Sequence, residues 1–335
     1  MIGNAQTGVA VKPVLLDKGW LPPNAAQGDM LAQLEDAVSR EVSADCRAIG
    51  FRSKFHKLLV EFVQGDSSGA SLIAKVYEND RGKAVFEWQS QLWEAGFRPP
   101  SAYTVVRPAG YLRQYRTLVQ EKAPGRAVAD FLFAQGGEQV FGGAARWVAA
   151  LQASGVTGES RATQWREMMK RFRGELLEAL PTSTADIEAL VSEIIKGLEG
   201  SLAGPLVPAH GDLHPKNLFV AEDGRYSAID LDTFGLQEPV AEVAYFLTQT
   251  AIIGYFRGGS FSNTASCRAR FLQTYEEARG PLSRERLGLY SAASFLQSLH
   301  YEICVLRNRK WDISQPWLSN SKRCLRGEIE LAEGG

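Results

Sequence analysis

Cysteine and histidine are scarce in this chain of 335 residues, with four of each. Cys46, Cys267, Cys304 and Cys324 lie far apart with no Cys-x-x-Cys pair. That spacing excludes a disulfide framework or a four-cysteine zinc site and predicts a reducing, cytoplasmic setting. No charge sign dominates either: 37 Lys and Arg against 38 Asp and Glu leave a net charge of −1, so bulk attraction to nucleic acid or to an anionic membrane is not expected. The tail cluster Arg307, Arg309, Lys310, Trp311 and Trp317 mixes cations with aromatics as single-strand binders do. Without a second basic block it reads as a solvated helix end. Long apolar runs are missing as well. Met1 to Ala10 lacks the basic start and apolar stretch of a signal peptide. The most apolar segment, Val240 to Phe256, is broken by Glu242, Thr248, Gln249 and Thr250, short of the ~18 uninterrupted residues of a membrane span. It reads as a buried helix.

What the chain has is an ordinary globular composition, 45% hydrophobic and 22% charged, in a length that suits about two domains. Residues 1 to about 28, with Pro13, Pro22, Pro23 and several glycines, read as an irregular extension, and Met30 to Val42 as a short helix. Phe55 to Val63 and Ser71 to Tyr77 read as two strands around the turn Gln64 to Gly69. Lys83 to Ala95 shows helical spacing and ends at Gly96; Tyr103 to Val106 and Arg116 to Gln120 read as strands separated by the turn Arg107 to Gly110. These make a small antiparallel α+β region. After Pro124 and Gly125 the pattern becomes helical over Ala144 to Ala153, Gln164 to Leu180 and Ala185 to Leu202. Two short strand-like pieces, Leu218 to Ala221 and Tyr226 to Ile229, interrupt the helices. No internal repeat is visible.

One stretch concentrates chemistry: His210-Gly-Asp-Leu-His-Pro-Lys-Asn217, two short strands, then Ile229-Asp-Leu-Asp232. Phosphoryl transfer from ATP needs a carboxylate to orient a hydroxyl and take its proton, and oxygen ligands for magnesium on the phosphates. Asp212 suits the first role, and Asn217 and Asp230 the second. An isolated Asp212 would be a turn or cap aspartate, and Asn217 a turn cap; their joint spacing favours the chemical reading. Asp232 reads as a supporting residue. His210, Asp212 and His214 also admit a second reading, a metal-dependent hydrolase, because imidazole and carboxylate both bind zinc. Against it, Pro215 spoils a strand, and His56 and His300 lie in no carboxylate or cysteine cluster that would complete a shell. His210 is therefore expected to brace the loop and His214 to flank the reacting centre.

His210 to Asn217, followed by Ile229, Asp230 and Glu238-Pro239, resembles the signature of the aminoglycoside phosphotransferase and choline kinase family. These are small-molecule kinases with a bilobed, α+β, protein-kinase-like fold: a small antiparallel-sheet lobe and a larger, mainly helical lobe. The resemblance implies a nucleotide lysine at Lys75 in Ala74-Lys-Val-Tyr77, with Glu87 on the following helix as its ion-pair partner. On alternation alone Lys75 reads equally as solvent-facing, and Lys83 stands four residues before Glu87 as a surface partner. Leu118-Val-Gln-Glu-Lys-Ala-Pro-Gly125 resembles the strand and hinge whose backbone at Glu121 and Ala123 meets adenine. Gly50-Phe-Arg-Ser53 resembles the phosphate-covering turn, which brings Ser53 to the nucleotide. The implied organisation is an extension and helix over residues 1–42, a nucleotide-binding lobe over 43–122, and a helical lobe over 123–335 with the catalytic loop, the metal loop and the acceptor site.

The sequence departs from the family pattern at four places. Only Gly50 is small in the phosphate turn, Leu151-Gln152 stands for a usual Leu-His, Glu242 for an Asp in the helix after the metal loop, and Glu238 for an Asp before Pro. The implied activity is transfer of the γ-phosphoryl group of ATP, with Mg2+, to a hydroxyl of a small molecule: an aminoglycoside, a choline-like compound, a sugar or an amino acid. Neither nucleic acid nor membrane is an expected partner. A nucleotide-binding protein without turnover would keep the same motifs. Acceptor identity and oligomeric state leave no signature in the sequence.

Overall fold

The strand and helix periodicities resolve, in a computed structural model, into two compact units over the described residues 28–54, 57–65, 71–200, 204–308 and 313–328. The first unit runs to Pro124 and takes in Ser227–Asp232; the second is Gly125–Tyr226 with the chain from Thr233 onward.

In the first unit, helix α1 (Gly28–Val42) precedes β1 (Cys46–Lys54), β2 (Lys57–Gln64) and β3 (Ser71–Tyr77). Helix α2 (Arg81–Glu94) follows, then β4 (Tyr103–Val105), β5 (Pro108–Leu112) and β6 (Thr117–Glu121). The antiparallel sheet has the order β1-β2-β3-β6-β5. Leu31, Leu34 and Val38, one stripe of α1, pack on Cys46, Ala48, Val60, Phe62, Leu72 and Ala74 from one sheet face. Helix α1 is thus part of this unit and not of a separate extension ending at residue 42.

Two sequence expectations change here. Gly50 to Ser53 is not a turn: it lies inside β1, where Cys46, Ala48 and Gly50 point inward and Arg47 and Ile49 outward. A bulge between Ala48 and Gly50 then resets the register and buries Phe51. Arg107 to Gly110 is likewise not a free turn, because Pro108 opens β5, the edge strand, where a residue without an N–H costs no ladder bond. Residues 1–27, His56, the turn residues 66–70, and Arg309, Lys310 and Trp311 lie outside the described residues.

The second unit contains β7 (Arg126–Ala127), α3 (Gly137–Ala153), α4 (Gln164–Ala179), α5 (Thr184–Leu198), β8 (Val207–Ala209) and β9 (Leu218–Val220). A turn over Ala221–Arg225 leads into β10 (Tyr226–Ala228), where the chain passes to the first unit as far as Asp232. Then come β11 (Gly235–Gln237), α6 (Pro239–Gly258), α7 (Ala265–Arg279), α8 (Arg284–His300), a π-helical segment (Tyr301–Val305) and α9 (Ser314–Leu325). Strand β11 pairs with β8 and β7 with β9.

Helix α6, the apolar segment of the sequence, is buried almost all round, as a helix without a polar face must be. Pro239 sits at its first turn and Gly259, at φ +78°, stops it. Phe246 of α6 stacks on Phe271 of α7 at 4.3 Å, and each such ring adds about 1.5–3 kcal/mol of burial. Among the described residues no helix is long and apolar enough to cross a membrane.

Candidate active site

Strand register decides the candidate cluster of the first unit. Lys57 lies opposite Tyr77, and Leu59 opposite Lys75, so Lys57, Lys75 and Tyr77 share the sheet face that α1 does not cover. Lys75 is buried and its Nζ meets Asp230 Oδ1 at 3.1 Å; Lys57 Nζ meets the same oxygen at 3.3 Å. Lys57 also pairs with Asp232, which accepts from the Tyr77 hydroxyl at 2.8 Å. Arg81, at the start of α2, donates through Nε to the Asp232 carbonyl at 2.9 Å. Asp230 itself is held at φ +67°, a left-handed conformation that costs a non-glycine residue of order 1 kcal/mol and persists where its surroundings fix it.

Electrostatics follow from this crowding. Burial raises the Asp232 carboxyl above its ordinary value, and the neighbouring Asp230 adds to the rise against the pull of Lys75 and Lys57. Burial works against the Lys57 ammonium, but the charges of Asp230 and Asp232 outweigh it, and the Lys57 pKa ends raised. Burial and the Asp232 charge also push the Tyr77 hydroxyl up. The cluster is therefore a pair of carboxylates neutralised by two ammonium groups, in which the carboxylates are donors suited to a cation and the ammonium groups to anionic oxygens.

Glu87 does not join it. The buried face of α2 is Val85, Trp88, Gln89 and Leu92, which leaves Glu87 in solvent, 3.6 Å from Lys83 one helical turn away. The inward position belongs to Gln89, whose amide donates to the Val106 carbonyl at 2.6 Å. Ser53, in β1, is half-buried. At the end of β6 the Glu121 N–H is taken by the Arg107 carbonyl at 2.9 Å and the Lys122 N–H by Ser71 at 2.9 Å. Ala123 makes no hydrogen bond within the described residues.

The second unit carries its own candidate group, built around the loop after β8. Gly211 adopts φ +81°, and a Cβ there would collide with the Thr233 carbonyl, so only glycine lets the loop turn this tightly. Glu242, from the first turn of α6, accepts the N–H groups of His210, Gly211 and Leu213. It is fully buried, and burial pushes its carboxyl up to about 7 against the three N–H bonds that favour its charge. Asp212 Oδ1 accepts from the Tyr245 hydroxyl at 2.6 Å, and the Asn217 amide donates to the Asp212 carbonyl at 3.1 Å. Burial and the Asp212 charge hold Tyr245 well above the usual tyrosine range, so it stays a donor.

The histidines take bracing roles. His210 is buried against Trp147, with ring centres 6.5 Å apart, and its Nδ1 accepts the Asp212 N–H at 3.4 Å. His214 Nδ1 accepts the Lys216 N–H at 3.2 Å. Among the described residues His210, Asp212 and His214 form no group of converging metal ligands, which removes the geometric basis of the hydrolase reading. Gln152 donates to the Pro239 carbonyl at 3.0 Å and accepts from Tyr275, tying α3 and α7 to the start of α6. Glu238 forms a buried pair with Arg286 and accepts from Tyr290 at 2.7 Å.

Sequence reading missed Lys57, Tyr77, Tyr245 and the grip of Glu242. All four act through contacts at least 29 residues apart in sequence, which periodicity does not report. His300, read as outside any cluster, lies beside Glu175 and Cys304.

Comparison with known proteins gives the family and the fold. Residues 51–288 match the model of the phosphotransferase enzyme family. No curated protein sequence matches the chain. Among solved structures, the choline kinase LicA from Streptococcus pneumoniae is similar with TM-score 0.59 at 16% identity, over 90% of this chain and 99% of that one. A spectinomycin phosphotransferase complexed with ADP and spectinomycin gives TM-score 0.58 at 13% identity, covering 89% and 97%. An ethanolamine kinase of Plasmodium vivax gives 0.58 at 12%, covering 91% and 90%. These likenesses establish the protein-kinase-like fold expected from the motifs.

Proposed function

Because the chain belongs to the phosphotransferase enzyme family, as a small-molecule kinase, we propose that it transfers the γ-phosphoryl group of ATP to a hydroxyl of a small molecule. The observation that carries this reading is the buried Lys75 ammonium on Asp230, 3.1 Å away, with Asp230 held in a left-handed conformation. A buried lysine beside a metal-binding carboxylate is what a nucleotide triphosphate requires.

Asp212 is the base. The Tyr245 hydroxyl, donating to Oδ1, fixes the carboxylate that orients the acceptor hydroxyl and takes its proton as the oxygen attacks the γ-phosphorus and ADP leaves. Asp230 in the first unit and Asn217 in the second each offer a hard oxygen donor of the kind that suits magnesium better than a softer metal. The magnesium would neutralise charge on the phosphates. Lys75 holds phosphate oxygens, and the free backbone groups at Ala123, with the Glu121 carbonyl, serve adenine. Ser53 is opposite Leu58 in the β1–β2 ladder and so stands on the sheet face that α1 covers, away from Lys75, and takes no part in holding the phosphates. Glu242 keeps the His210–Leu213 backbone in the one conformation that aims Asp212.

The acceptor is a hydroxyl compound of the aminoglycoside, choline-like, sugar or amino-acid kind. Incubating the protein with magnesium, ATP and a panel of such compounds, and following ADP, tests the reading. ADP formation that depends on one acceptor class supports it. ATP binding with no ADP from any acceptor would favour a nucleotide-binding protein without turnover.

A further inference from the structure

Helix α8 ends at His300 and continues through the π-helical segment to Cys304, which stands on the same face as His300. Helix α4 faces them with Glu175. Candidate ligand atoms of Glu175, His300 and Cys304 all lie within 4.8 Å of one another. His300 Nε2 already meets Glu175 Oε2 at 2.7 Å, and the Cys304 thiol approaches the Glu175 carbonyl at 3.7 Å.

We infer that these three side chains form a second metal site, for a borderline-soft divalent transition ion such as zinc, distinct from the magnesium site. The donor set of one thiolate, one imidazole and one carboxylate is the set such ions select and magnesium avoids. Tetrahedral zinc with Zn–S ~2.3 Å and Zn–N ~2.0 Å places sulfur and nitrogen roughly 3.6 Å apart. With all three atoms within 4.8 Å of one another, the spacing has to close by no more than about an ångström, a shift that the exposed Glu175 carboxylate and a rotation of the Cys304 thiol can make. His300 supplies the rigid corner: it is buried and stacked on Phe172 at 4.0 Å. The π-helical turn brings Cys304 under His300, and such turns recur at functional sites. Solvent reaches the cluster past Glu175 and Cys304, leaving a fourth position for water.

Two neighbours set the competition. Arg171 Nε lies 3.9 Å from Glu175 Oε1 and gives up part of that carboxylate on metal binding. Burial raises the Cys304 thiol, with Glu175 and Glu178 adding to the rise. The thiol is thus protonated in the metal-free protein, and its proton passes to solvent as the sulfur–metal bond forms. The bound ion would clamp α4 to the end of α8.

Titrating the full metal-stripped chain with cobalt(II) tests this, because only a bound thiolate gives intense sulfur-to-cobalt charge-transfer absorption. The expected result is one equivalent of cobalt with that absorption, displaced by zinc and not by excess magnesium. Cys304→Ser should abolish the band. Glu175→Gln, at an exposed position that leaves folding intact, should weaken cobalt by at least roughly tenfold, the scale of losing even a supporting metal contact. Absence of the band in the unaltered chain, or its survival in the Cys304→Ser variant, would overturn the site.

Discussion

Replacing Glu242 by Gln tests the brace under the catalytic loop through stability alone, without knowledge of the acceptor. The carboxyl has an ordinary value of 4.5 and is pushed up to about 7 by burial. A folded-state value above the unfolded one means that the native protein binds the proton more tightly. This contribution to stability is therefore fully present below pH 4.5 and is lost as pH rises through about 7. Its full size is roughly 3 kcal/mol, most of which disappears between pH 5 and pH 8.

Gln cannot ionise, so the variant lacks this dependence. It can keep one carbonyl oxygen on the His210 and Gly211 N–H groups, but its amide then faces the Leu213 N–H and loses that bond, at about 1–3 kcal/mol. Urea unfolding at pH 5 and pH 8 measures both effects. The unaltered protein should lose roughly 2–3 kcal/mol more than the variant between these conditions, and the variant should be the less stable of the two at pH 5. Parallel profiles would refute the reasoning, since they would mean that Glu242 keeps one protonation state throughout.

Three further outcomes follow from the geometry. Lys75→Ala should weaken ATP far more than adenosine in calorimetry, because adenosine offers the ammonium no phosphate; equal weakening contradicts the assignment. Glu87→Ala should leave ATP affinity unchanged and shift stability by no more than about 0.5 kcal/mol, as exposed substitutions do; a large loss of affinity would restore Glu87 to the site. Glu238→Ala strands the buried Arg286 guanidinium and should cost about 3–5 kcal/mol in denaturant unfolding. Replacing both partners with apolar residues should recover most of that loss.

Legibility of the sequence tracked the distance over which its contacts act. The loop His210–Asn217 and Asp230 were readable because their chemistry lies within one contiguous stretch. The helices α2 to α5 showed in their periodicity, and α6 in its apolar run. Strand β1 was hidden because Arg47, Arg52 and Lys54 alternate along it and Gly50 imitates a turn. Strand β5 was hidden by Pro108 and Gly110, tolerated only because it is an edge. Glu87 failed by orientation: the inward face of α2 is fixed by Trp88 and Leu92, and it exposes position 87. Glu242 and Tyr245 sit in a helix apolar all round, so no stripe marks which residues turn toward the loop. Glu175, His300 and Cys304 converge only when α4 packs beside the end of α8.

Magnesium-dependent ATP titration of Asp212→Asn beside Asp230→Asn, with turnover on the acceptor that the panel identifies, tests the division of labour most directly. Asp212 as base touches the acceptor and not the metal, so its variant should bind magnesium-ATP like the unaltered protein while turnover falls by roughly 10² to 10⁴. Asp230 as a metal ligand should lose magnesium-dependent ATP affinity and turnover together. Loss of nucleotide affinity in the Asp212 variant, or undiminished turnover in either, would contradict the account.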